Sequence, residues 1–359
     1  MCNHIAHRGV PSIYCILPPH MLKEIAKNGT PSQRVAAVDT LSTDHTFRQI
    51  RSVQAALLAP RRGGAVAPAP AVPSIHRSIY TANHTETLPG KLVRAEGAPK
   101  SKDESVDEAY DGLGATFEFY LEIFQRNSID DAGMPLIGTV HYGDKYDNAF
   151  WNSQQMVFGD GDGTLFNRFT IALDVIGHEL THGVTEHTAN LAYSGQAGAL
   201  NESVSDVFGS LIKQYALKQK ADKADWLIGA GLLASGVQGV ALRSMKEPGT
   251  AYDDPVLGKD PQPADMAHYV NTAQDNHGVH INSGIPNRAF CLAALDLGGY
   301  AWEKAGRVWY ETLNDSHIKP TASFKTFARL TVSNANRLFG AGSAESKAVS
   351  KAWDTVGVL

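Results

Sequence analysis

Two histidines and a glutamate near the middle of the chain have the spacing of a metal site. The segment Gly177-His178-Glu179-Leu180-Thr181-His182 places the histidines four residues apart, and Glu202 follows twenty residues after His182. On a helix over residues 171–184, that step puts both imidazoles on one face, about 6 Å apart at Cβ. Zinc held by two imidazoles and one carboxylate keeps a tetrahedral position open, which is typical of catalytic sites. We therefore predict one catalytic zinc ion bound by His178, His182 and Glu202.

Glu179 lies between the two histidines but is not a ligand in this interpretation. Zinc lowers the pKa of a bound water and polarises a carbonyl, so a nearby carboxylate can take the proton near neutral pH. Glu179 is placed to be that base. A metal-bound histidine usually donates its second N–H to a carboxylate or carbonyl. Because Asp206 lies one turn beyond Glu202, we predict that it accepts from His178.

The pattern His-Glu-x-x-His also occurs by chance on ordinary helices, where the histidines cap a core or face solvent. Here apolar residues recur at helical spacing around both motifs, which predicts two buried helices. The apolar residues are Ile171, Leu173, Val175, Ile176, Leu180 and Val184 in the first helix, and Val204, Val207, Phe208, Leu211 and Ile212 in the second. Two helices with complementary ligands favour the zinc site over the chance match.

The chain resembles the thermolysin-like neutral metalloproteases, the M4 peptidase family, over residues 76–359. Besides the zinc motif, the resemblance is carried by Asn148-Ala149-Phe150-Trp151, by Arg243-Ser244-Met245, and by the ordered blocks at residues 156–163 and 275–284. It implies an α+β fold with an N-terminal β-rich mixed domain and a C-terminal mostly helical domain. The active-site cleft would lie between the two domains.

The resemblance also implies roles for individual side chains. Asn148 and the backbone of Ala149 would hydrogen-bond an extended substrate by strand addition. Tyr193 and His280 would stabilise the oxyanion that forms after water attacks. Asp275 would orient His280.

The pocket just beyond the scissile bond is implied to be apolar. Arg243 would bind a substrate carbonyl at its wall. The residues that match its lining are Phe166, Phe169, Val175 and Leu242. Filling such a pocket with a large apolar side chain contributes about 1.5 to 3 kcal/mol. We predict cleavage of protein or peptide substrates on the amino side of bulky hydrophobic residues, with Val or Leu preferred to Phe because Phe169 makes the pocket shallower.

One departure from the family concerns calcium. Lys213 stands where the double calcium site has an acidic ligand, and Leu227 and Ala230 replace further acidic ligands. Calcium takes six to eight oxygen ligands, and a lysine ammonium opposes it. We predict that this double site is lost, although Asp174 and Asp225 remain.

The first 60 or so residues differ from the rest. Two helical patterns end at Gly29 and Leu58, and an Ala/Pro-rich stretch follows, with a candidate processing site at Arg61-Arg62-Gly63-Gly64. Residues 15–22 resemble the signature of the short propeptides of protealysin-type members. We predict an inhibitory propeptide over residues 1–58, a linker over 59–75, a β-rich catalytic domain over 76–187 that ends in the zinc helix, and a helical domain over 188–359.

Two residues leave alternatives open. Cys15 either binds the zinc as a thiolate and keeps the enzyme latent, or is a thiol packed within the prosegment, which we favour. His277 stands where the family usually has glycine, and either tunes the pH response near His280 or points to water. The three cysteines of the chain are too few for a disulfide framework.

The remaining sequence predicts strands and turns over residues 77–158 with one helix over 106–127. Four helices are predicted downstream, over residues 282–297, 301–313, 323–338 and 344–353. The net charge of −5, without a long basic run, argues against nucleic acid or an acidic membrane surface as a partner. The uncharged stretch 226–242 is shorter than the roughly 20 apolar residues of a membrane span.

Residues 1–20 lack the basic and apolar regions of a classical secretory signal. Since secretion is the habit of the family, we expect a secreted monomer, with the cytoplasm as the alternative location. Two competing functions are an exopeptidase with the same ligands and a binding protein with an inactive metal site. The first would need an anchor for a free N-terminus. The second would have no need of Glu179, Tyr193 and His280.

Overall fold

The structure, a computed structural model, describes residues 14–57 and 73–359. The predicted processing site at Arg61–Gly64 and the cysteine at position 2 lie outside these ranges. Between them, the described residues form a mixed sheet followed by a set of packed helices. This arrangement confirms the predicted α+β class.

A six-stranded mixed sheet forms the N-terminal part of the fold. Its strands are β1 (Tyr14–Cys15), β2 (Arg77–Thr81), β3 (Lys91–Ala95), β4 (Leu136–Val140), β5 (Ala149–Trp151) and β6 (Met156–Phe158). They lie in the order β1-β5-β6-β4-β2-β3. Strand β4 pairs parallel with β2 and β6, and the other neighbours are antiparallel. Strands β5 and β6 are fully buried, as expected for apolar strands covered on both faces.

Strand β1 lies in the predicted prosegment and pairs with the edge of β5. Tyr14 lies opposite Trp151 and Cys15 opposite Phe150 in antiparallel register. An uncovered edge strand presents unpaired backbone N–H and C=O groups. The prosegment therefore satisfies an edge that would otherwise be available to another peptide.

Residues 14–57 and 73–359 contain ten α-helices, which follow or flank the sheet. They are α1 (Pro19–Asn28), α2 (Pro31–Leu57), α3 (Glu104–Phe124), α4 (Leu173–Glu186), α5 (Gly195–Ala216), α6 (Asp275–Asn282), α7 (Gly284–Leu297), α8 (Ala305–Leu313), α9 (Phe324–Phe339) and α10 (Ala344–Thr355). Each predicted helix is present with shifted ends. Helix α3 begins after Asp103, whose side chain accepts from the backbone N–H of Ser105, and it ends where Gln125 adopts a left-handed φ of 58°.

Helices α4 and α5 pack with their backbones in close approach. A Cβ on Gly209 would lie 2.3 Å from the carbonyl oxygen of Asp174, and one on Gly177 would lie 2.7 Å from Cδ1 of Ile212. Glycine at these two places lets the helices meet closely. The ligands predicted on separate helices are thereby brought to one point.

Two short ribbons complete the described structure. Strands β7 (Leu227–Ile228) and β8 (Arg243–Ser244) form one, and β9 (Asp253–Asp254) and β10 (Gly258–Lys259) form the other. Strand β8 carries Arg243 into the buried interior. Within residues 14–57 and 73–359, none of the helices combines the length and apolar character needed to cross a bilayer.

Candidate metal centre and substrate cleft

The three predicted metal ligands converge at the contact of α4 and α5. Nε2 of His178 lies 3.0 Å from Nε2 of His182. The carboxylate oxygens of Glu202 lie 3.5 Å and 3.6 Å from these nitrogens. All three side chains are buried. The four-residue helical step and the close approach of α5 together produce this geometry.

The other nitrogen of each histidine faces an acceptor. Nδ1 of His178 lies 2.8 Å from Oδ1 of Asp206, and Nδ1 of His182 lies 2.8 Å from Oδ1 of Asn201. If both rings donate from Nδ1, each Nε2 carries a lone pair, and the two lone pairs face each other. Oε2 of Glu202 is buried and has no hydrogen-bond partner in the part of the chain that the structure describes. A shared cation satisfies all of these atoms, so the donor set fits a zinc ion.

Asn201 is a site residue that sequence reasoning missed. Its Nδ2 donates to the carbonyl of Leu191 at 3.0 Å, which fixes its Oδ1 toward His182. The hydroxyl of Ser205 lies 3.0 Å from the same ring nitrogen. The signal available in the sequence was the position of Asn201, directly before the ligand Glu202.

Asp206 also forms a buried bidentate pair with Arg243. Nε and Nη2 of Arg243 donate to its two carboxylate oxygens, each at 2.8 Å, and Nδ2 of Asn287 donates to Oδ2 at 2.8 Å. Burial opposes ionisation of Asp206. The Arg243 guanidinium and the His178 N–H outweigh burial and hold the pKa of that carboxyl below its usual range. Asp206 is therefore an acceptor, and His178 keeps its proton on Nδ1.

Glu179 lies beside the ligands at the edge of β5. Its Oε2 accepts the backbone N–H of Trp151 at 3.0 Å, whereas Oε1 has no hydrogen-bond partner among the described residues. Burial, with a contribution from the Glu202 carboxylate, raises the pKa of the Glu179 carboxyl well above its usual range. A raised pKa suits a group that must both take up and release a proton.

His280, Asp275 and Tyr193 meet on the opposite wall of the cleft. Nδ1 of His280 lies 2.6 Å from Oδ1 of Asp275, and its backbone N–H donates to Oδ2 at 2.9 Å. The hydroxyl of Tyr193 lies 3.2 Å from Nε2 of His280 and donates to Oε1 of Glu202. Burial opposes ionisation of Asp275, but His280 holds the pKa of that carboxyl below its usual range.

Residues 15–17 of the predicted prosegment lie along this cleft, just after strand β1 begins at Tyr14. The carbonyl of Cys15 lies 3.1 Å from Nε2 of His280, and the N–H of Ile16 donates to the carbonyl of Ala149 at 3.2 Å. The carbonyl of Ile16 accepts from Nη1 of Arg243 at 3.0 Å. The N–H of Leu17 donates to Oδ1 of Asn148 at 3.0 Å. Four consecutive backbone groups thus engage residues predicted to bind substrate.

The side chains predicted to line the pocket are buried and belong to one apolar cluster. This cluster is the main hydrophobic core of the described residues, and it also contains Ile16 and Leu17 of the predicted prosegment. The predicted lining residues in it are Phe166, Phe169, Val175 and Leu242. The rings of Phe166 and Phe169 lie 6.0 Å apart between centroids. Their placement combines the pocket residues with the prosegment in a single core.

The two residues with open interpretations lie at different depths. The side chain of Cys15 is buried with Tyr142, Tyr146 and Phe150, in a small apolar cluster on the sheet. His277 is exposed and adopts a left-handed φ of 66°.

Known proteins resemble this chain over nearly its whole length. The catalytic domain described as thermolysin metallopeptidase matches residues 73–186, and the α-helical domain of the same peptidase matches residues 189–358. The chain belongs to the thermolysin family of M4 metallopeptidases. The prediction of the family from sequence motifs is confirmed.

Two of the relatives match 96% of this chain, beyond the two family domains. An extracellular metalloprotease of Pectobacterium carotovorum is 56% identical over 350 residues, which cover 96% of each chain. An extracellular minor metalloprotease of Serratia marcescens is 43% identical over 289 residues, which cover 80% of this chain and 79% of the relative. The solved precursor of protealysin from Serratia proteamaculans matches with a TM-score of 0.86 and 55% identity, over 96% of this chain and 100% of that one.

This M4 protease is a zinc metalloendopeptidase made with a propeptide. The exopeptidase and the inactive binding protein weighed above are thereby set aside. The family implies zinc, and His178, His182 and Glu202 form a group that fits it.

Proposed function

We propose that this protease cuts on the amino side of bulky hydrophobic residues, in a cleft where the prosegment takes the place of a substrate. The supporting observation is the antiparallel pairing of residues 14–15 with β5, continued by the backbone contacts of Ile16 and Leu17. Strand addition uses the same backbone bonds for any sequence. A protein or peptide substrate would therefore lie in the same direction.

The backbone contacts support one register for a substrate in this cleft. The Cys15 carbonyl faces His280 and the Ile16 carbonyl is bound by Arg243. The peptide bond between Cys15 and Ile16 thus takes the position of the bond to be cut. We assign the Ile16 side chain to the predicted pocket of Phe166, Phe169, Val175 and Leu242, which is apolar and would select a large aliphatic side chain by burial.

Each polar residue of the cleft has a chemical task in this proposal. His178, His182 and Glu202 hold the zinc, and Asp206 fixes the tautomer of His178. The zinc, when bound, supplies a Lewis acid that polarises the carbonyl and acidifies water. Glu179 takes the proton from the attacking water and later passes it to the leaving nitrogen.

The opposite wall stabilises the charge that develops on the substrate carbonyl. His280 is placed to donate from Nε2 to this oxygen, while Asp275 holds the ring through Nδ1. Tyr193 contributes a second donor from the same side. Its hydroxyl lies next to His280 and within reach of Glu202.

The prosegment is proposed to inhibit by occupying the cleft. Beyond the strand, Asp44 of α2 accepts from the hydroxyl of Tyr146 at 2.7 Å and from Nδ2 of Asn148 at 2.9 Å. Asp44 therefore holds the side chain that binds Leu17. The apolar surroundings of the Cys15 side chain support a packed thiol, so latency comes from the backbone strand rather than from a thiolate on zinc.

The double calcium site is proposed to be replaced by an ion pair. Nζ of Lys213 lies 2.7 Å from Oδ2 of Asp174, 3.0 Å from Oδ1 of Asp225, and 2.8 Å from the carbonyl of Leu227. The ammonium gathers the oxygens that would otherwise attract a cation. A divalent ion would meet a fixed positive charge there.

We further propose that the protein is secreted and acts as a monomer on proteins outside the cell. Relatives from Pectobacterium and Serratia are named extracellular, which supports export. An inhibitory prosegment suits an enzyme that is released in latent form.

The test is hydrolysis by the processed enzyme. Casein cleavage should be abolished by a chelator and by Glu179→Gln, whereas Glu303→Gln, at an exposed glutamate, should leave it intact. A peptide library should be cut before Leu, Val or Ile. Preferred cleavage before Lys or Asp would overturn the proposed pocket.

A further inference from the structure

A second group of metal-ligating side chains lies on the surface of the sheet domain, apart from the zinc helices. His84 follows β2, His141 follows β4, and Asp160 follows β6. One ligand atom from each lies within 4.8 Å of the other two. Three chain segments far apart in sequence thus present imidazole and carboxylate groups to one point.

The distances in this group resemble those at the catalytic centre. Nδ1 of His141 lies 2.8 Å from Oδ2 of Asp160, and Nδ1 of His84 lies 3.6 Å from the same oxygen. The catalytic ligands are separated by 3.0, 3.5 and 3.6 Å. Ligand atoms about 2.0 to 2.2 Å from a tetrahedral ion lie roughly 3.3 to 3.6 Å apart. With small side-chain shifts, each of the two groups would fit an ion of its own.

A carboxylate also orients the central histidine. Nε2 of His141 lies 2.8 Å from Oδ2 of Asp103, as Nδ1 of His178 lies 2.8 Å from Asp206. Asp103 is itself held, because its Oδ1 accepts the backbone N–H of Ser105 at the start of α3. Donation to Asp103 leaves the Nδ1 lone pair of His141 directed at Asp160. This carboxylate-imidazole arrangement is the usual support of a metal ligand.

The backbone holds the two histidines together. The N–H of His84 donates to the carbonyl of His141 at 2.8 Å. Both residues adopt left-handed backbone, with φ of 61° and 54°. Residues with side chains disfavour this conformation, and such positions cluster at ligand sites.

We propose that His84, His141 and Asp160 bind a second transition-metal ion of the zinc class. The two carboxylates of Asp103 and Asp160 supply the negative charge that a dication needs, and imidazole selects zinc-class metals over calcium. An ion there would join the chain after β2 to the chain after β6. It would clamp the outer part of the sheet, away from the substrate cleft.

The competing arrangement contains no metal. In it, a protonated His141 bridges Asp103 and Asp160, since both of its nitrogens already face carboxylates. That bridge makes no use of His84, which is 60% exposed. His84 therefore separates the two interpretations, and its replacement leaves the core untouched.

The experiment counts zinc in the full-length precursor, in a Glu179→Gln background that keeps the chain intact. After equilibration with Zn²⁺ and removal of unbound metal, elemental analysis should give two equivalents per chain. His84→Ala should give one. The matched control is His317→Ala, which removes an exposed histidine paired with Asp315 at 2.8 Å and should keep two.

Cobalt provides a second measurement on the same proteins. Co²⁺ bound at the second site should add visible absorption that His84→Ala and Asp160→Asn lose and His317→Ala keeps. A single zinc equivalent in the parent chain, or two equivalents retained in His84→Ala, would overturn the proposal. Since the catalytic equivalent persists in every variant, neither result bears on the function proposed above.

Discussion

The carbonyl oxygen of Cys15 lies 3.1 Å from Nε2 of His280. One atom belongs to the prosegment and the other to the helical part of the protease, so the chain presents its own peptide bond to its own cleft. The neighbouring Ile16 carbonyl on Arg243 fixes the direction of that strand. In the proposed function, latency and substrate recognition therefore depend on the same contacts.

Shortening Ile16 should weaken latency. Ile16→Ala removes a fully buried side chain, and such truncations cost about 2 to 5 kcal/mol, part of which is lost from prosegment binding. The rate at which the intact precursor hydrolyses a short peptide should rise at least tenfold. Val35→Ala, at a residue 62% exposed on α2, should not change this rate. Equal latency in both variants would contradict the proposed register.

Neutralising Asp206 should weaken zinc binding. Asp206→Asn keeps the shape of the side chain but removes the charge that orients His178 and pairs with Arg243. Loss of such a partner costs roughly 10- to 100-fold in metal affinity. Competition with a chromophoric chelator measures this, and Asp222→Asn, 63% exposed, is the control. An unchanged affinity would mean that Asp206 does not support the ligand.

Asp147 should make stability depend on pH. It is 1% exposed, and burial, assisted by the Asp162 carboxylate, raises the pKa of its carboxyl to about 8. The unfolded pKa is about 3.9, so between these values the folded chain binds the extra proton. The free energy of unfolding therefore falls as the pH rises through this window.

Asp147→Asn should remove that decline. The asparagine keeps an oxygen for the backbone N–H of Asp162, which lies 2.7 Å away, and it carries no charge at high pH. Urea unfolding at about pH 5.5 and about pH 8.5 should show a gain in stability for the variant that is larger, by a few kcal/mol, at the higher pH. The control Asp144→Asn, at an exposed position, should show the same change of stability with pH as the parent. If Asp147→Asn loses as much stability as the parent when the pH rises, this account is refuted.

The Lys213 ion pair, rather than a bound calcium ion, should stabilise the region around Asp174. Lys213→Met leaves the carboxylate of Asp174, only 2% exposed, without its cation, and breaking such a buried pair costs about 3 to 5 kcal/mol. The melting temperature of the parent should not respond to added Ca²⁺. Lys223→Met, 76% exposed, serves as control. Calcium-dependent melting of the parent would show that the double site persists.

Local patterns in the sequence predicted what local geometry determines. His178 and His182 lie on one helical face whatever the rest of the fold does, and the apolar spacing predicted α4 and α5. Helix ends were less accurate, since α8 begins at Ala305 rather than at residue 301 and α4 continues to Glu186. These ends depend on capping and packing contacts, which the spacing of apolar residues does not reveal.

Contacts between distant segments could not be read from spacing. The pair of Arg243 with Asp206 joins residues 37 positions apart, and the prosegment strand joins Ile16 to Arg243 across 227 positions. The sequence also gave no sign of the group of His84, His141 and Asp160, because each residue follows a different strand. Only the order of strands in the sheet brings them together.

The central claim is that one zinc ion is shared by His178, His182 and Glu202. A crystal of the full-length chain, measured on both sides of the zinc absorption edge, tests it most directly. We expect an anomalous peak about 2.0 to 2.2 Å from Nε2 of each histidine and from a carboxylate oxygen of Glu202. No peak beside these three side chains in zinc-replete crystals, or a peak there that one of the three does not bind, would contradict the account.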